Sequence, residues 1–215
     1  MRWTKAGKLC ITAVCLTVIA ACGSTQQAAN VNEETTVSQP TRDTVKIVSA
    51  GEADLKLFSS FSEVESEAPV LVEVKRIGNR TQSTSKGNDG TVIDAWQVTE
   101  VKIERVHKGE MKPGSILKVA EPGYFDGNGD YFTYEGYKQM EDGHRYLLAL
   151  RPGSKGQYIV TGLFQGKFDL DRAESEVKTV PGEMDRKRFE EVDYVGENAE
   201  PFNKLKQEAL AKYAD

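Results

Sequence analysis

The clearest pattern of hydrophobic and polar positions runs over residues 91–107. Apolar residues such as Trp96 and Val101 mostly alternate there with polar ones. A period of two places successive side chains on opposite faces of a strand. The pattern therefore predicts one long strand, bent near Thr99 and Glu100, with Trp96 in the core.

Shorter apolar segments, separated by Gly, Pro and polar residues, predict further strands. We expect these strands at 44–48, 70–77, 115–120, 144–150, 157–161 and in a short stretch near 162–170. The first is expected at a sheet edge, and the polar stretch 78–90 is expected to be a loop. The strand at 115–120 follows a turn and is expected to form a hairpin with the long strand.

Two segments have helical spacing. The helix predicted near 53–62 places Leu55 and Phe58 on one face and has Pro69 as its stop. The helix predicted near 201–213 has a single apolar face. Five or six strands in about 100 residues, joined mostly by short turns, then predict a mainly β fold, a small antiparallel OB-like barrel with these two helices added.

The first 22 residues have the pattern of an export signal. Arg2, Lys5 and Lys8 precede a mostly apolar run over 9–21 that stops at Cys22. The run is shorter than the ~20 residues that a membrane-spanning helix needs. We therefore expect a signal peptide and not a permanent transmembrane anchor.

The residues Ile-Ala-Ala-Cys at 19–22, followed by small and polar residues, resemble the lipobox of bacterial lipoproteins. In that family a diacylglyceryl group is attached to the cysteine thiol and the signal is cut before the cysteine. The resemblance implies lipidation of Cys22 and a protein that faces outward from the cell membrane, with the membrane as a partner through the lipid. Two or more acyl chains give stable anchoring. The alternative is an ordinary secretory signal that leaves Cys22 free.

The segment after the lipobox has little to bury, since it is rich in Ser, Thr, Gln, Asn and Ala, and it is predicted to be a flexible tether. Four parts are then expected: a signal peptide at 1–21, the lipidated cysteine and tether at 22–43, a β-barrel domain at 44–170, and a charged segment with the C-terminal helix at 171–215.

The charge of the chain excludes one class of partner. The 215 residues include 28 Lys and Arg against 33 Asp and Glu, and removal of residues 1–21 leaves 25 basic against 33 acidic residues. Nucleic acid needs a concentrated basic surface, whereas the basic cluster at 185–188 is short and bordered by acids. We expect no nucleic-acid partner and interpret that cluster as a solvated helix start.

The cysteines narrow the chemistry further. Cys10 and Cys15 would leave with the signal and Cys22 would carry the lipid, so the folded part would hold no cysteine. Disulfides, thiolate nucleophiles and Cys-ligated zinc are therefore excluded together.

Four short motifs, at 101–109, 113–114, 145–148 and 162–166, follow one another in an order that carries a second resemblance. The order resembles a group of poorly characterised bacterial surface lipoproteins, whose domain is similar to the netrin and metalloproteinase-inhibitor type of OB barrel. The resemblance covers about residues 65–170 and implies that fold. The chain lacks the cysteine-headed inhibitory edge of the animal inhibitors, so the resemblance implies no inhibition.

Three residues that offer oxygen ligands, separated by glycines, form a candidate calcium site: Asp126, Asn128 and Asp130. Alternating oxygen ligands on a tight curve suit a hard cation. The comparison with an EF-hand fails, because Tyr131 replaces the sixth-position glycine and Tyr137 replaces the bidentate glutamate. A calcium site and a plain turn both remain open.

Aromatic residues surround this stretch and form the candidate binding loop: Tyr124, Phe125, Tyr131, Phe132, Tyr134 and Tyr137. Exposed aromatics can stack on sugar rings or anchor a protein partner. The alternative is that these residues pack the loop onto the barrel.

The remaining motifs point to no known catalytic class. Neither a Gly-x-Ser-x-Gly elbow nor a Ser-x-x-Lys pair is present, and His107 and His144 are expected at the surface. We therefore expect no enzyme, no catalytic residues and no cofactor other than a candidate calcium ion. The predicted function is a noncatalytic envelope lipoprotein that binds a protein or polymer of the envelope. The alternatives are a calcium-responsive surface module and an uncatalogued cell-wall hydrolase.

Overall fold

The computed structural model describes residues 42–51, 54–172 and 182–213. Cys22 and the other features predicted for residues 1–41 lie outside the described residues. The described residues all belong to one unit of the chain.

Strands dominate the described residues, in agreement with the predicted fold class. The strands are β1 (Thr44–Ser49), β2 (Val70–Lys86), β3 (Val92–Lys108), β4 (Ile116–Glu121), β5 (Gly123–Phe125), β6 (Tyr131–Thr133), β7 (Arg145–Pro152), β8 (Tyr158–Val160), β9 (Lys167–Asp169) and β10 (Glu183–Asp185). The helices are α1 (Phe61–Glu67), α2 (Arg186–Glu191) and α3 (Ala199–Tyr213), and two 3₁₀ turns span Ser154–Gly156 and Leu163–Gly166.

The larger sheet has the strand order β2-β3-β4-β8-β7-β9, and β2 also pairs with β7. Strands β2, β3, β4, β8 and β7 therefore close into a ring. Neighbours in the ring are antiparallel, except that β4 and β8 are parallel. The prediction of a purely antiparallel sheet is corrected at this pair, because β4 and β8 are brought together across the ring and not through a hairpin.

One face of the five ring strands shares a single core. Val72 of β2 and Leu148 of β7 belong to it, whereas Leu71 and Leu147 face a second core formed with helices α1 and α3. Strand β7 is therefore buried on both faces. This explains why its sequence is an uninterrupted apolar run and does not alternate.

The first helix lies later in the chain than the sequence pattern predicts. Helix α1 begins at Phe61 because the Ser60 side chain accepts a hydrogen bond from the Glu63 N–H and caps it. Residues 54–58 are not helical; the Phe58 N–H donates to Gln165 Oε1 at 2.7 Å. The predicted stop before Pro69 and the predicted C-terminal helix are confirmed.

The predicted loop at 78–90 is largely strand. Strand β2 continues to Lys86 and pairs with β3 as far as Val92. Backbone pairing with β3 makes this part of β2 a strand although its residues do not alternate in polarity, so the pattern contains no strand signal there. The largest of the four irregularities in this ladder lies where three residues of β2 are opposite Glu100, at the bend predicted for β3.

The smaller sheet has the order β10-β1-β6-β5. Strand β1 lies inside this sheet and not at its edge, since β10 pairs with one side antiparallel and β6 pairs with the other side parallel. Both partners are more than 80 residues away in sequence, which the local pattern of β1 cannot show. A third core lies beneath the sheet and includes Phe125 of β5, Tyr131 of β6 and Phe189 of α2.

Candidate functional site

The β5–β6 hairpin sorts the six aromatics of the candidate binding loop between two environments. Phe125 and Tyr131 point inward, and the ring of Phe189 lies 5.5 and 5.0 Å from theirs, between centroids. Tyr137 is fully buried as well. These three do not face outward with the other aromatics, which fits the packing alternative for this half of the predicted loop.

The other three aromatics remain half-buried: Tyr124, Phe132 and Tyr134. Tyr124 and Phe132 are directly opposite each other in the hairpin. Their rings stack with centroids 5.4 Å apart and planes within 9°. The Tyr134 hydroxyl donates to Asp94 Oδ1 on β3 at 3.3 Å, which joins the hairpin to the long strand.

Trp96 is half-buried and not in the core, contrary to the sequence prediction. The core-facing positions of β3 in this stretch are Ala95, Gln97 and Thr99. Two of them are polar, so the pattern of apolar residues predicted the wrong face of this part of the strand as buried. Trp96 lies two residues from Asp94 and hence on the same side of the strand, roughly 7 Å along it. We call Asp94, Trp96, Tyr124, Phe132 and Tyr134 the aromatic face.

The aromatic face is acidic. Burial raises the pKa of Tyr124, and the nearby carboxylates of Asp94 and Asp126 raise it further. Burial and the Asp94 carboxylate likewise raise the pKa of Tyr134. Both phenols therefore remain hydroxyl donors at neutral pH, beside carboxylates that accept hydrogen bonds.

The candidate calcium residues form a tight turn between β5 and β6. Asp126 Oδ1 accepts the N–H groups of Asn128 and Asp130, each at 2.9 Å, and Oδ2 accepts the Asn128 amide at 3.1 Å. Asp130 pairs with Arg42 at 3.3 Å. Donors of the protein thus occupy the Asp126 carboxylate in the manner of an Asx turn. Calcium binding here stays a prediction.

A buried carboxylate ties the long segment after β4 to the ring. Glu121 accepts hydrogen bonds from the Tyr137 hydroxyl at 3.0 Å, the Met140 N–H at 2.7 Å and the Thr99 hydroxyl. Arg80 lies 3.5 Å from the same side chain. Burial and Glu121 together raise the pKa of Tyr137 well above its usual value. The carboxylate thereby fixes the base of the hairpin that carries the aromatic face.

A cluster of metal-ligating side chains was missed by the sequence reasoning. His144, Asp169 and Asp171 bring one ligand atom each within 4.8 Å of the others. However, Arg172 Nη1 lies 2.5 Å from Asp169 Oδ2 and 3.2 Å from His144 Nδ1, and Arg145 binds Asp171. A cation would meet both guanidinium groups, so the geometry fits an ionic network better than a metal centre.

Both histidines are less exposed than predicted. His144 Nδ1 lies 2.9 Å from Asp169, and His107 Nε2 lies 2.7 Å from Glu73. Each histidine meets its carboxylate across the fold, His107 from β3 to β2 and His144 next to the β7–β9 pair. Neither pair has a local spacing that a sequence pattern could detect.

Among the residues that the structure describes, no helix is both long and apolar enough to cross a membrane. No known protein family and no curated protein matches the chain.

Proposed function

We propose that this chain is a noncatalytic binding module of the bacterial envelope, held at the outer side of the cell membrane by a lipid on Cys22. We propose further that the aromatic face binds an envelope polysaccharide. The main support is that three aromatic side chains, Tyr124, Phe132 and Tyr134, remain accessible together beside Asp94, while the other three are buried.

The chemistry of the aromatic face favours a sugar polymer over other partners. Aromatic side chains supply apolar contact area for a sugar ring, while the Tyr124 phenol donates to its hydroxyls and the carboxylates accept from them. Asp94 and Asp126 would repel phosphate-rich polymers, as would the acidic chain as a whole. A polysaccharide without phosphate groups is therefore the partner that we propose.

We also infer that the closed ring is a small OB-like barrel. Five strands form the ring, and in chain order β7 is the fourth and β8 the fifth. The fifth strand lies between the third and the fourth, and the fourth pairs with the first, so the order is β2-β3-β4-β8-β7-β2. OB barrels bind oligosaccharides on their second and third strands and neighbouring loops. In this chain the second ring strand, β3, contributes Asp94 and Trp96 to the aromatic face.

The test is cosedimentation of the protein with purified cell-wall sacculi. We expect the wild type to pellet with the sacculi and a Tyr124→Ser, Phe132→Ser double variant to lose at least tenfold in affinity. The matched control is Leu57→Ser, Ile116→Ser, because these two apolar side chains are exposed elsewhere, at 52% and 53%. Circular dichroism verifies that each variant is folded.

Equal binding by the wild type and the aromatic variant would contradict the proposed face. A different outcome would identify a protein as the partner. In that case the wild type would not bind sacculi, and an in-cell crosslink to a protein would be lost in the aromatic variant.

The anchor has a separate test. We expect mass spectrometry of the membrane fraction to find a mature chain that begins at lipid-modified Cys22. A Cys22→Ser variant should leave the membrane fraction or stay unprocessed. An unmodified thiol at Cys22 in the mature protein would identify an ordinary secretory signal.

A further inference from the structure

A cleft of about 240 Å³ lies on the inner side of the β5–β6 hairpin, away from the aromatic face. Its apolar walls are Phe125 of β5 and Phe189 of α2. Gln139, Asp142 and Glu190 contribute its polar lining. At roughly 30 Å³ for each water molecule, the cleft has the volume of about eight waters, which is the scale of one small ligand.

Gln139 is the unusual residue of this cleft. The residue is only 6% exposed, and its backbone N–H is fixed by a hydrogen bond to the Tyr131 hydroxyl at 2.7 Å. Its side-chain amide makes no hydrogen bond to any residue that the structure describes. Among the described residues, the enclosed side-chain atoms without a partner are Arg76 Nε and Thr161 Oγ1. The Gln139 amide is not one of them, so it is reachable from the cleft that the residue lines. The side chain therefore offers a donor and an acceptor to a ligand.

Lys138 is a buried cation in the cleft lining, but its protons are not available to a ligand. Lys138 Nζ donates to Glu141, to the Val192 carbonyl at 2.7 Å and to the Glu190 carbonyl at 3.5 Å. These three acceptors use its three protons. Lys138 therefore joins the hairpin segment to α2 and shapes the cleft without binding its contents.

Most of the charged groups around the cleft are already paired with a group of opposite charge. The Asp142 side chain is 80% exposed, Glu190 is exposed, and Glu141 adds a third carboxylate to the lining. The cations are Lys138, already bonded, and Arg186, which donates to the Arg42 carbonyl at 2.6 Å. Asp142 is paired with Arg76, and Glu141 is paired with Lys138 and Arg172. A carboxylate or phosphate ligand would compete with these ion pairs, whereas a neutral polar ligand would not.

We propose that this cleft binds a small neutral amide. The amide of the ligand pairs with the Gln139 amide through one donated and one accepted hydrogen bond. Its apolar part lies against Phe125 and Phe189, whose rings contact each other with centroids 5.5 Å apart. Such an amide occurs both in N-acetylated sugars and in short peptides, and the recognition chemistry is the same for both. The inference is independent of the polysaccharide proposed for the aromatic face.

The experiment is an NMR titration of the full chain that follows the Gln139 side-chain amide signal, assigned by its loss in Gln139→Met. The probes are N-acetylglucosamine, N-acetylalanine methylamide and glucose, which lacks the amide. We expect saturable shifts with at least one amide probe and none with glucose. Gln139→Met should weaken the binding at least tenfold, as judged from the backbone signals of Phe125 and Phe189.

Two controls separate recognition from folding. Gln139→Met removes no hydrogen bond within the described protein, so its melting temperature should not fall. Gln207→Met, at an exposed position of α3, should leave binding unchanged. The aromatic-face double variant should also retain cleft binding, so failure of one proposal is distinguishable from failure of the other.

Three results would overturn the inference: no saturable shift with either amide probe, shifts with glucose equal to those with N-acetylglucosamine, or undiminished binding by Gln139→Met. A response to only one amide probe supports the inference and identifies the sugar or the peptide as the source.

Discussion

Asp193 is enclosed with two lysines in the interior of the fold. Lys167 Nζ lies 2.8 Å from its Oδ1 and Lys206 Nζ lies 3.3 Å from its Oδ2, and all three side chains are at most 3% exposed. Asp193 Oδ2 also accepts the Asp169 N–H at 2.8 Å. The carboxylate thus connects β9 and α3 through charge.

Replacement of this carboxylate would leave two buried ammonium groups without their counterion. We expect Asp193→Asn to lower the free energy of unfolding at pH 7 by about 3–5 kcal/mol, as measured by urea denaturation. A loss below about 1 kcal/mol would contradict this account. Asp171→Asn is a suitable control, because the Asp171–Arg145 pair is partly exposed and should contribute far less.

The same residue predicts a dependence on pH. Burial would raise the pKa of Asp193, but Lys167 and Lys206 outweigh that effect and hold the pKa well below its usual value. Its contribution is therefore fully present above the unfolded pKa of about 3.9 and is lost as the pH falls below it. The difference in unfolding free energy between wild type and Asp193→Asn should shrink from pH 5 to pH 3. A difference that stays constant would contradict the assignment.

Among the elements, the β5–β6 hairpin depends on a close backbone approach at Gly136. This glycine has φ +75°, and a Cβ built on it would lie 2.3 Å from the Gly196 backbone. The Val195 N–H donates to the Gly136 carbonyl at 2.9 Å, and Tyr137 forms a bridge with Tyr194. The segment after α2 is thereby held against the hairpin.

Gly136→Ala should disrupt that approach. We expect a loss of at least about 2 kcal/mol in unfolding free energy, because a left-handed conformation and a backbone clash are imposed together. Gly127→Ala, in the turn between β5 and β6, is the matched control, since a Cβ there has nothing within 4 Å. Equal stability of the two variants by denaturant unfolding would show that the backbones separate without cost.

At the scale of the whole molecule, the C-terminal helix completes one of the cores. Phe202 of α3 is fully buried; its ring stacks on Tyr194, with centroids 5.0 Å apart and planes within 14°. It also meets Phe164 and Phe168 from the region after β8. The core between the closed ring of strands and the helices therefore joins α3 to α1, which adds Phe61.

Phe202→Ala should be among the most destabilising substitutions in this core. Removal of a fully buried phenylalanine is expected to cost about 3–5 kcal/mol in unfolding free energy. Gln207→Ala, exposed on the same helix, should change it by no more than about 0.5 kcal/mol. A cost for Phe202→Ala near that of the control would mean that the helix is dispensable to the core.

Local patterns were sufficient to predict most of the secondary structure. The alternation in β3, the turn that leads to β4 and the apolar face of α3 each contain their signal within about 17 residues. Helix α1 was misplaced because its start depends on one cap, Ser60, and not on apolar spacing alone. The polar end of β2 was missed because pairing with β3, and not apolar burial, makes it a strand.

The sequence by itself determined that the chain is mainly β, where β3 and β4 pair, and that aromatics and acids concentrate between residues 121 and 143. The tertiary structure decided which three of the six aromatics face outward, that β1 lies inside a sheet, and that Gln139 is buried in a cleft. The reason is that residue types and their spacing act over one element. Exposure and hydrogen-bond partners instead depend on segments such as α2 and β10, which reach the hairpin only after the chain has folded.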